Sequence, residues 1–564
     1  MSWDEGHHLF DGYTILKHHD FDLNPEVPPL AKVVAAIPLL PMNLFEPIQQ
    51  GRDSQLEAFT DGRDFLFKND ANQLLLRGRI AVSLFTLLLA FLVFRAGQKI
   101  FDTNTGLLAL AFLVFDPLLL AHGALVTTDA AITCLVFATV FGWYRYTRHP
   151  AAWRVALIGL VAGLALATKF TGLFLFPTLA LLVFVESARA RNLQLLLRRA
   201  LALATVAFIA GVVLWGCYGF RYAARPDGLV QNPTLGTYLQ TYAKVANPKP
   251  LQFLARTHAL PEAYLWGLAN TRLTEARNVS YLFGTIRRHG TWLYFPSAIA
   301  IKSTLPFLLL LAIAVFICLR HRQLMWRYLI LSVPVAVFLG LAMHSDMNIG
   351  VRHILPIYPF LYLIGSAALG TAIAATHSPD RRWLVVASLL LAFQAFTSLR
   401  SFPGYIAYAN EAWGGQQNVH NLLSDSNSDW GQQLKTTAAY LRDRHITDCW
   451  FAYTASGVAD ERYYGVPCRP LPTIVNLWWI PVPPNAFRPV PTHIDTEIDG
   501  PILISDDELE GIDQQFGTPT PYAQFKALKP TAILDGGILV YDGHFDMTPA
   551  SKLVALTHPK SAQN

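Results

Sequence analysis

Between residues 80 and 399, apolar runs of roughly 16–24 residues follow one another, separated by short turns that contain basic residues, Gly or Pro. About 20 apolar residues in a helix cross the ~30 Å hydrocarbon core of a bilayer. The chain is 53% hydrophobic and only 15% charged, against roughly 25% charged in soluble domains. The sequence therefore predicts a polytopic α-helical membrane protein. The ten predicted spans are residues 80–96, 106–122, 128–146, 153–168, 171–186, 198–218, 295–318, 326–343, 354–375 and 383–399.

Basic residues divide the connections between these runs into two alternating sets. One set is rich in Arg, as in the connection with Arg145, Arg148 and Arg154, whereas the short loops of the other set hold little more than Lys169 and Arg352. Cytosolic loops collect Lys and Arg, so the poor set is predicted to lie outside. The basic residues are thus topology signals, and nucleic acid is not expected as a partner.

Three regions follow from this topology. Residues 1–79 are predicted to form a first outside loop, in which "AKVVAAIPLLPMNLF" lies as a helix at the membrane interface. Residues 80–399 are the transmembrane core and include a long outside loop at 219–294. Ten spans with both ends outside would require nearly eighty polar residues to be translocated with no helix ahead of them. We therefore expect one further N-terminal span to precede this sequence.

Residues 400–564 have the composition of a soluble extracytoplasmic α/β domain. "DWGQQLKTTAAYLRDRH" has helical periodicity, and "CWFAYTA", "PILIS" and "GGILVYD" are typical of short strands. Cys449 and Cys468 could form a disulfide in an oxidising compartment, but the sequence leaves their pairing open. The sequence contains neither of the zinc-binding motifs CxxC and HExxH.

Charged residues gather at the outside edge of the predicted spans. Charges inside spans are costly, which makes each a candidate for function. Three of them also have a plain alternative: Asp116 beside Pro117 can mark a kinked helix end, Asp129 can cap a helix, and Lys169 can extend to the interface. The charged residues predicted on this face are the carboxylates Asp4, Glu5 and Asp129 and the cations Lys169, Lys302 and Arg352. Such a set suits chemistry on a lipid-linked phosphate, because cations stabilise a leaving phosphate and a carboxylate accepts a proton.

Several motifs resemble those of the family 39 glycosyltransferases, which have the GT-C fold and include protein O-mannosyltransferases and bacterial lipid A aminoarabinose transferases. The similarity is greater still to bacterial relatives of these enzymes, and it runs nearly from end to end in the same order. The motifs are "DEGHH", "NPEVPPLAK", "TTDAA", "ATKFTG", "YFPSAIAIKSTLP", "NIGVRHILPIYPF" and "DSNSDWGQQL".

The resemblance implies a polytopic enzyme that transfers a sugar from a polyprenyl-phosphate donor to an acceptor on the outer face of a bacterial inner membrane, facing the periplasm. It assigns the catalytic base to Asp4, with Glu5 beside it and Asp129 in support. It implies that the donor phosphate is held by Lys302, Arg352 and Lys169. Val27 replaces the His or Lys usual in "NPE-x-PPLAK", and Lys32 is a candidate substitute. The family also has a helix ahead of the Asp-Glu pair.

The expected reaction is direct displacement at the anomeric carbon, with Asp4 as base. A metal site formed by His7 and His8 with the Asp-Glu pair stays open, so a divalent metal is possible, and His353 is a candidate supporting residue. Residues 425–434 are expected to be a capped helix N-terminus, with Ser428 or Asp429 as the cap. This interpretation is preferred to a role in catalysis. The alternatives are a transporter or flippase of a lipid-linked sugar and a scaffold without chemistry. The sugar, the polyprenol and the acceptor (protein, lipid or glycan) are left undetermined.

Overall fold

The computed structural model of the chain describes residues 1–48, 54–226, 229–320, 325–374, 380–473, 475–479, 493–512 and 520–557. Its N-terminal part consists of α1 (Glu5–His18), α2 (Leu30–Ala36), which a 3-10 turn extends to Leu39, and α3 (Ser54–Phe67). α1 crosses α3 so closely that a Cβ on Gly62 would lie 2.6 Å from the Cα of His7. Asp4 thus directly precedes a buried helix that begins at Glu5 and packs against both α2 and α3. That residues 1–79 form an outside loop stays a prediction.

Twelve further helices lie within or beside the predicted spans. They are α4 (Ala71–Ile100), α5 (Thr103–Val114), α6 (Pro117–His122), α7 (Asp129–Arg148), α8 (Ala152–Leu166), α9 (Leu175–Ala190), α10 (Leu193–Cys217), α14 (Tyr294–Lys302), α15 (Leu305–Arg320), α16 (Met325–His344), α17 (Tyr358–Ala374) and α18 (Arg381–Arg400). Each predicted span coincides with one helix or with two consecutive helices. Residue 375, the last of one predicted span, lies outside the described residues.

Two predicted spans are broken. The run at 106–122 divides at Asp116, whose carboxylate accepts a hydrogen bond from the Leu118 N–H at 2.8 Å and so caps α6, while Pro117 has no N–H to continue α5. The run at 295–318 divides between α14 and α15, which meet at an angle of 117°. The prediction of one continuous span at 295–318 is therefore wrong, since α14 ends at Lys302 and α15 leaves in another direction.

Five helical segments in the described part of the chain are long and apolar enough to cross a membrane, and the bent pair of α14 and α15 would make a sixth. The five are Ala71–Ile100, Phe170–Ala190, Leu193–Cys217, Val351–Ala374 and Arg381–Arg400. Shorter apolar helices occur at Leu30–Leu39, Thr103–Val114, Ala152–Leu166 and Tyr328–His344. A count of ten crossings, and the place of Leu30–Leu39 at the interface, stay predictions.

The connection at 219–294 contains α11 (Leu235–Tyr242), α12 (Lys249–Arg256) and α13 (Glu262–Arg277). An antiparallel hairpin of β1 (Ser280–Leu282) and β2 (Thr285–Arg287) follows. α13 packs tightly against the N-terminal segment: a Cβ on Gly267 would overlap the carbonyl oxygen of Pro25 and the ring of Phe170. The loop after α1 is thereby held beside the turn that carries Lys169.

The C-terminal part contains a five-stranded sheet in the order β4-β3-β5-β7-β6. Its strands are β3 (Trp450–Ala452), β4 (Arg469–Pro470), β5 (Glu497–Ser505), β6 (Ala532–Leu534) and β7 (Ile538–Asp546), and its helices are α19 (Leu434–Asp443), α20 (Asp506–Glu510) and α21 (Thr548–Thr557). β3 runs parallel to β4 and β5, whereas β7 runs antiparallel to β5 and β6. Successive side chains of β5 enter cores on opposite faces, with Ile502 and Ile504 on one side and Leu503 on the other.

A disulfide joins Cys449 to Cys468, each of which directly precedes a strand of the parallel pair β3 and β4. The structure thus pairs the two cysteines whose partnership the sequence left open. Cys134, Cys217 and Cys318 are free thiols.

Candidate active site

Asp4 lies at the end of the chain segment that enters α1. Its Oδ2 accepts a hydrogen bond from Nη1 of Arg352 at 3.2 Å. The side chain keeps 20% of its surface exposed, more than those of Arg352, Asp129 and Lys169. A carboxylate that is oriented by a cation and still accessible can receive a proton from a bound molecule.

Glu5, its neighbour in sequence, is fully buried. Oε1 accepts from Nε of Arg79 at 2.7 Å and from the Val126 N–H at 3.1 Å, and Oε2 accepts from Nη2 of Arg79 at 2.6 Å and from the Ser2 nitrogen at 2.7 Å. Burial by itself raises the pKa of this carboxyl, but the Arg79 guanidinium more than reverses that effect and lowers it to about 2. Both carboxylate oxygens accept hydrogen bonds from within the protein, so Glu5 connects α1 to α4 and to the turn before α7.

Asp129 is the first residue of α7, and its carboxylate is buried. Oδ1 accepts from the Lys169 ammonium at 2.6 Å, and Oδ2 lies 3.7 Å from Nη1 of Arg352. Thr128, not Asp129, occupies the N-cap position, and its side chain makes no capping hydrogen bond. The two plain alternatives from the sequence therefore do not describe these residues, because Asp129 and Lys169 pair with each other.

Arg352 links the two carboxylates. It sits in the 3-10 turn Val351–Ile357 before α17, and its side chain is 11% exposed. Nη1 faces Asp4 and Asp129, Nε donates to Oγ of Ser426 at 3.0 Å, and Cζ lies 4.0 Å from the centroid of the Trp430 ring. Among the described residues none accepts a hydrogen bond from Nη2. The result is an alternating row of charges from Asp4 through Arg352 and Asp129 to Lys169.

Lys302 and Lys32 are placed differently from what a phosphate ligand requires. The buried Lys302 ammonium donates to the carbonyl oxygens of Ile406 and Asn427, both at 2.6 Å. The buried Lys32 ammonium donates to the carbonyl oxygens of Asn24 and Val27 at 2.6 and 2.8 Å and lies 2.5 Å from Oδ2 of Asp11. An ammonium has three N–H groups, so these contacts satisfy most of Lys302 and all of Lys32.

His7 and His8 contact an aromatic ring and a backbone carbonyl group, respectively. The His7 ring packs against Phe59 with centroids 4.6 Å apart, and Nδ1 of His8 is 2.9 Å from the Val126 carbonyl oxygen. Burial lowers the pKa of both imidazoles, which favours their neutral forms. Over the described ranges of the chain, no three His, Cys, Asp or Glu side chains are grouped as a metal site. Nε2 of His353 is buried and has no hydrogen-bond partner within the part of the chain described here.

His122, at the end of α6, was not singled out from the sequence. It is buried, its ring lies 5.9 Å from that of Trp430, and its Nδ1 has no hydrogen-bond partner among the residues described. Asp129, Arg352 and Lys302 lie close enough to act on it electrostatically. A polar residue at the end of an apolar run was the available signal, the same signal that marked Asp129.

The tail motif at 425–434 reaches this site. The prediction that Ser428 or Asp429 caps a helix is wrong, because α19 begins only at Leu434 with Gln433 at the N-cap position. The Ser428 hydroxyl instead donates to Asp506, and Asp429 accepts from the Gly431 N–H at 2.8 Å. Repeated turns hold residues 425–433 in an irregular path that places two of their side chains on Arg352.

Comparison with known proteins gives one family match. Residues 71–215 match the family model described as dolichyl-phosphate-mannose-protein mannosyltransferase. That range includes Asp129 and Lys169 and excludes Asp4 and Arg352. No curated protein sequence matches the chain significantly.

Solved structures show distant likenesses over most of the chain. ArnT from Cupriavidus metallidurans bound to undecaprenyl phosphate is 15% identical, with a TM-score of 0.44 over 95% of this chain and 93% of that one. The apo form of the same protein is 13% identical, with a TM-score of 0.44 over 95% and 92%. The apo oligosaccharyltransferase of Archaeoglobus fulgidus is 13% identical, with a TM-score of 0.39 over 83% and 60%. At TM-scores below 0.5 these likenesses carry no weight for function.

The sequence match is therefore the informative comparison. It begins with α4 and ends within α10, and it includes the first residue of α7 and the turn with Lys169. Over residues 71–215 the chain is similar to the dolichyl-phosphate-mannose-protein mannosyltransferases, which confirms the resemblance to this class of membrane glycosyltransferases that its motifs predicted.

Proposed function

We propose that the protein is a membrane glycosyltransferase that moves a sugar from a polyprenyl-phosphate donor to an acceptor hydroxyl. One observation carries the proposal: the accessible Asp4 carboxylate is joined to Arg352, Asp129 and Lys169 in a single row of charges. The family match and the motif resemblance support the choice of a polyprenyl-phosphate sugar as donor. The site and the C-terminal part face the periplasm of a bacterial inner membrane, which agrees with the distribution of basic residues and with an oxidised cysteine pair.

The reaction is a single displacement. The acceptor oxygen attacks the anomeric carbon while Asp4 takes the hydroxyl proton, and the bond between that carbon and the phosphate oxygen breaks with its electron pair on the phosphate. Arg352 and Lys169 stabilise the negative charge that develops there. One displacement inverts the configuration of the anomeric carbon.

The row of charges suggests how the donor prepares the base. Before binding, the Asp4 carboxylate is held by Nη1 of Arg352. A donor phosphate that takes this guanidinium as its partner frees Asp4 to accept a proton. Asp129 keeps Lys169 in place beside the same phosphate. Lys302, Lys32 and Glu5 have structural parts in this scheme, since their polar groups are already bound within the protein.

The test compares wild-type protein with Asp4→Asn in membranes supplied with a panel of radiolabelled undecaprenyl-phosphate sugars. General-base catalysis contributes about 10²- to 10⁴-fold, so transfer should fall by about 100-fold or more in the variant. Asp443→Asn is the matched control, because Asp443 lies on α19 with 71% of its side chain exposed. Undiminished transfer by Asp4→Asn contradicts the base assignment. Translocation of labelled lipid by the wild type without any transfer contradicts the enzyme and favours a flippase.

A further inference from the structure

The C-terminal tail supplies two of the four groups that hold Arg352. Oγ of Ser426 accepts from Nε at 3.0 Å, and the Trp430 ring lies under Cζ at 4.0 Å. Both residues come more than seventy positions after Arg352 in the chain. Among the described residues, the helical core gives this guanidinium one carboxylate partner, Asp129, and the N-terminal segment gives it another, Asp4.

Trp430 also reaches the other side of the Asp4–Arg352 pair. Its carbonyl oxygen accepts from the Trp3 N–H at 2.7 Å, which fixes the residue directly before Asp4. The indole itself is 6% exposed and packs with Ala121, Leu125 and Ile406. One residue of the tail therefore contacts the guanidinium through its ring and the segment of the carboxylate through its backbone.

We propose that Trp430 is a positioning residue that, with Ser426, keeps the Arg352 guanidinium aimed at the donor phosphate. This inference rests on the proposed function. When a donor phosphate binds Nη1 of Arg352, the hydrogen bond from Nη1 to Asp4 is lost. The ring beneath Cζ and the hydroxyl at Nε use neither Nη1 nor Nη2, so they hold the side chain throughout. The soluble tail is thus part of the donor site.

The experiment measures the affinity of purified full-length protein in nanodiscs for undecaprenyl phosphate, which carries the phosphate without depending on the sugar or the acceptor. Trp430→Leu keeps apolar volume and removes the ring face, and we expect about tenfold weaker binding. Trp430→Phe keeps a ring face and should recover most of that loss. Trp292→Leu is the control, since Trp292 is 63% exposed on the outside loop.

A double-mutant cycle separates positioning from packing. In an Arg352→Lys background, Trp430→Leu should change binding by less than about twofold, because the group that it positions has lost its planar shape. An equal tenfold loss in both backgrounds would overturn the inference. If Trp430→Leu lowers the melting temperature, Ser426→Ala decides instead: it should weaken binding in the wild-type background and not in the Arg352→Lys background. Failure of the wild type to bind undecaprenyl phosphate contradicts the proposed function itself.

Discussion

At the scale of single residues, Asp4 and Glu5 are neighbours in the chain with separate tasks. Asp4 faces an arginine and solvent, whereas Glu5 receives four hydrogen bonds in a buried position. Helical geometry explains the difference, since Glu5 is the first residue of α1 and points toward α4, while Asp4 precedes the helix. One acidic pair therefore contains both the proposed base, Asp4, and a buried structural residue, Glu5.

Glu5→Gln should lower stability, because it replaces a carboxylate that is bound by a guanidinium and two backbone nitrogens. We expect a loss of about 2 kcal/mol or more in the free energy of unfolding at neutral pH. The folded-state pKa of Glu5 is lowered from 4.5 to about 2. Its stabilisation is thus present above pH 4.5 and disappears as the pH falls toward 2. Thermal unfolding in detergent should show a gap between wild type and variant that closes over this range. A gap that widens on acidification would contradict the assignment.

At the scale of secondary-structure elements, two side chains, Lys302 and Asn410, join the bend between α14 and α15 to the segment that follows α18. Lys302 donates to carbonyl oxygens at residues 406 and 427, and Asn410 donates through Nδ2 to the carbonyl oxygens of Ala300 and Ser303 at 2.7 and 2.9 Å. The segment that follows α18 is thereby fastened to the bend. This explains how an irregular stretch reaches Arg352 with a fixed course.

Lys302→Met should loosen that segment, because the apolar side chain leaves two buried carbonyl groups without their donor. Chymotrypsin cleavage near Tyr405, Tyr408 and Trp413 should become several-fold faster while the helical circular dichroism stays unchanged. Lys68→Met is the control, since Lys68 is half exposed on the surface. If the cleavage rate is unchanged but undecaprenyl phosphate binding is lost, the structural role is contradicted and Lys302 is a ligand of the donor phosphate.

At the scale of the whole molecule, the N-terminal segment, the helical core and the tail meet at Arg352. The tail carries the disulfide between Cys449 and Cys468, which holds the parallel strands β3 and β4 together. A disulfide persists where the compartment is oxidising. Its oxidation state in cells therefore reports the side of the membrane on which the tail lies.

Protein denatured directly from membranes should react with a maleimide polymer at three thiols, and at five after reduction, because three of the five cysteines are free. Cys449→Ser with Cys468→Ser should lower the free energy of unfolding of the tail by about 3 kcal/mol, as expected for a closed loop of this length. Cys217→Ser removes one free thiol, so it should lower the number of reactive thiols by one both before and after reduction. Five reactive thiols without reduction would contradict an outside tail.

The sequence by itself determined where the helices of the core lie along the chain, three of the five described strands of the tail (β3, β5 and β7) and most candidates for the charged site. Apolar runs, strand periodicity and motif order are local properties, and they located α7, α10 and β5 as well as Asp4, Asp129, Lys169 and Arg352. Only the tertiary structure decided the partner of each charge. Glu5 meets Arg79, Lys302 meets two carbonyl groups, and Trp430 meets Arg352, through contacts between residues 74 to 125 positions apart. Chain order gives the position of a charge along the sequence, but the group that shares its low-dielectric surroundings is set by how distant segments pack.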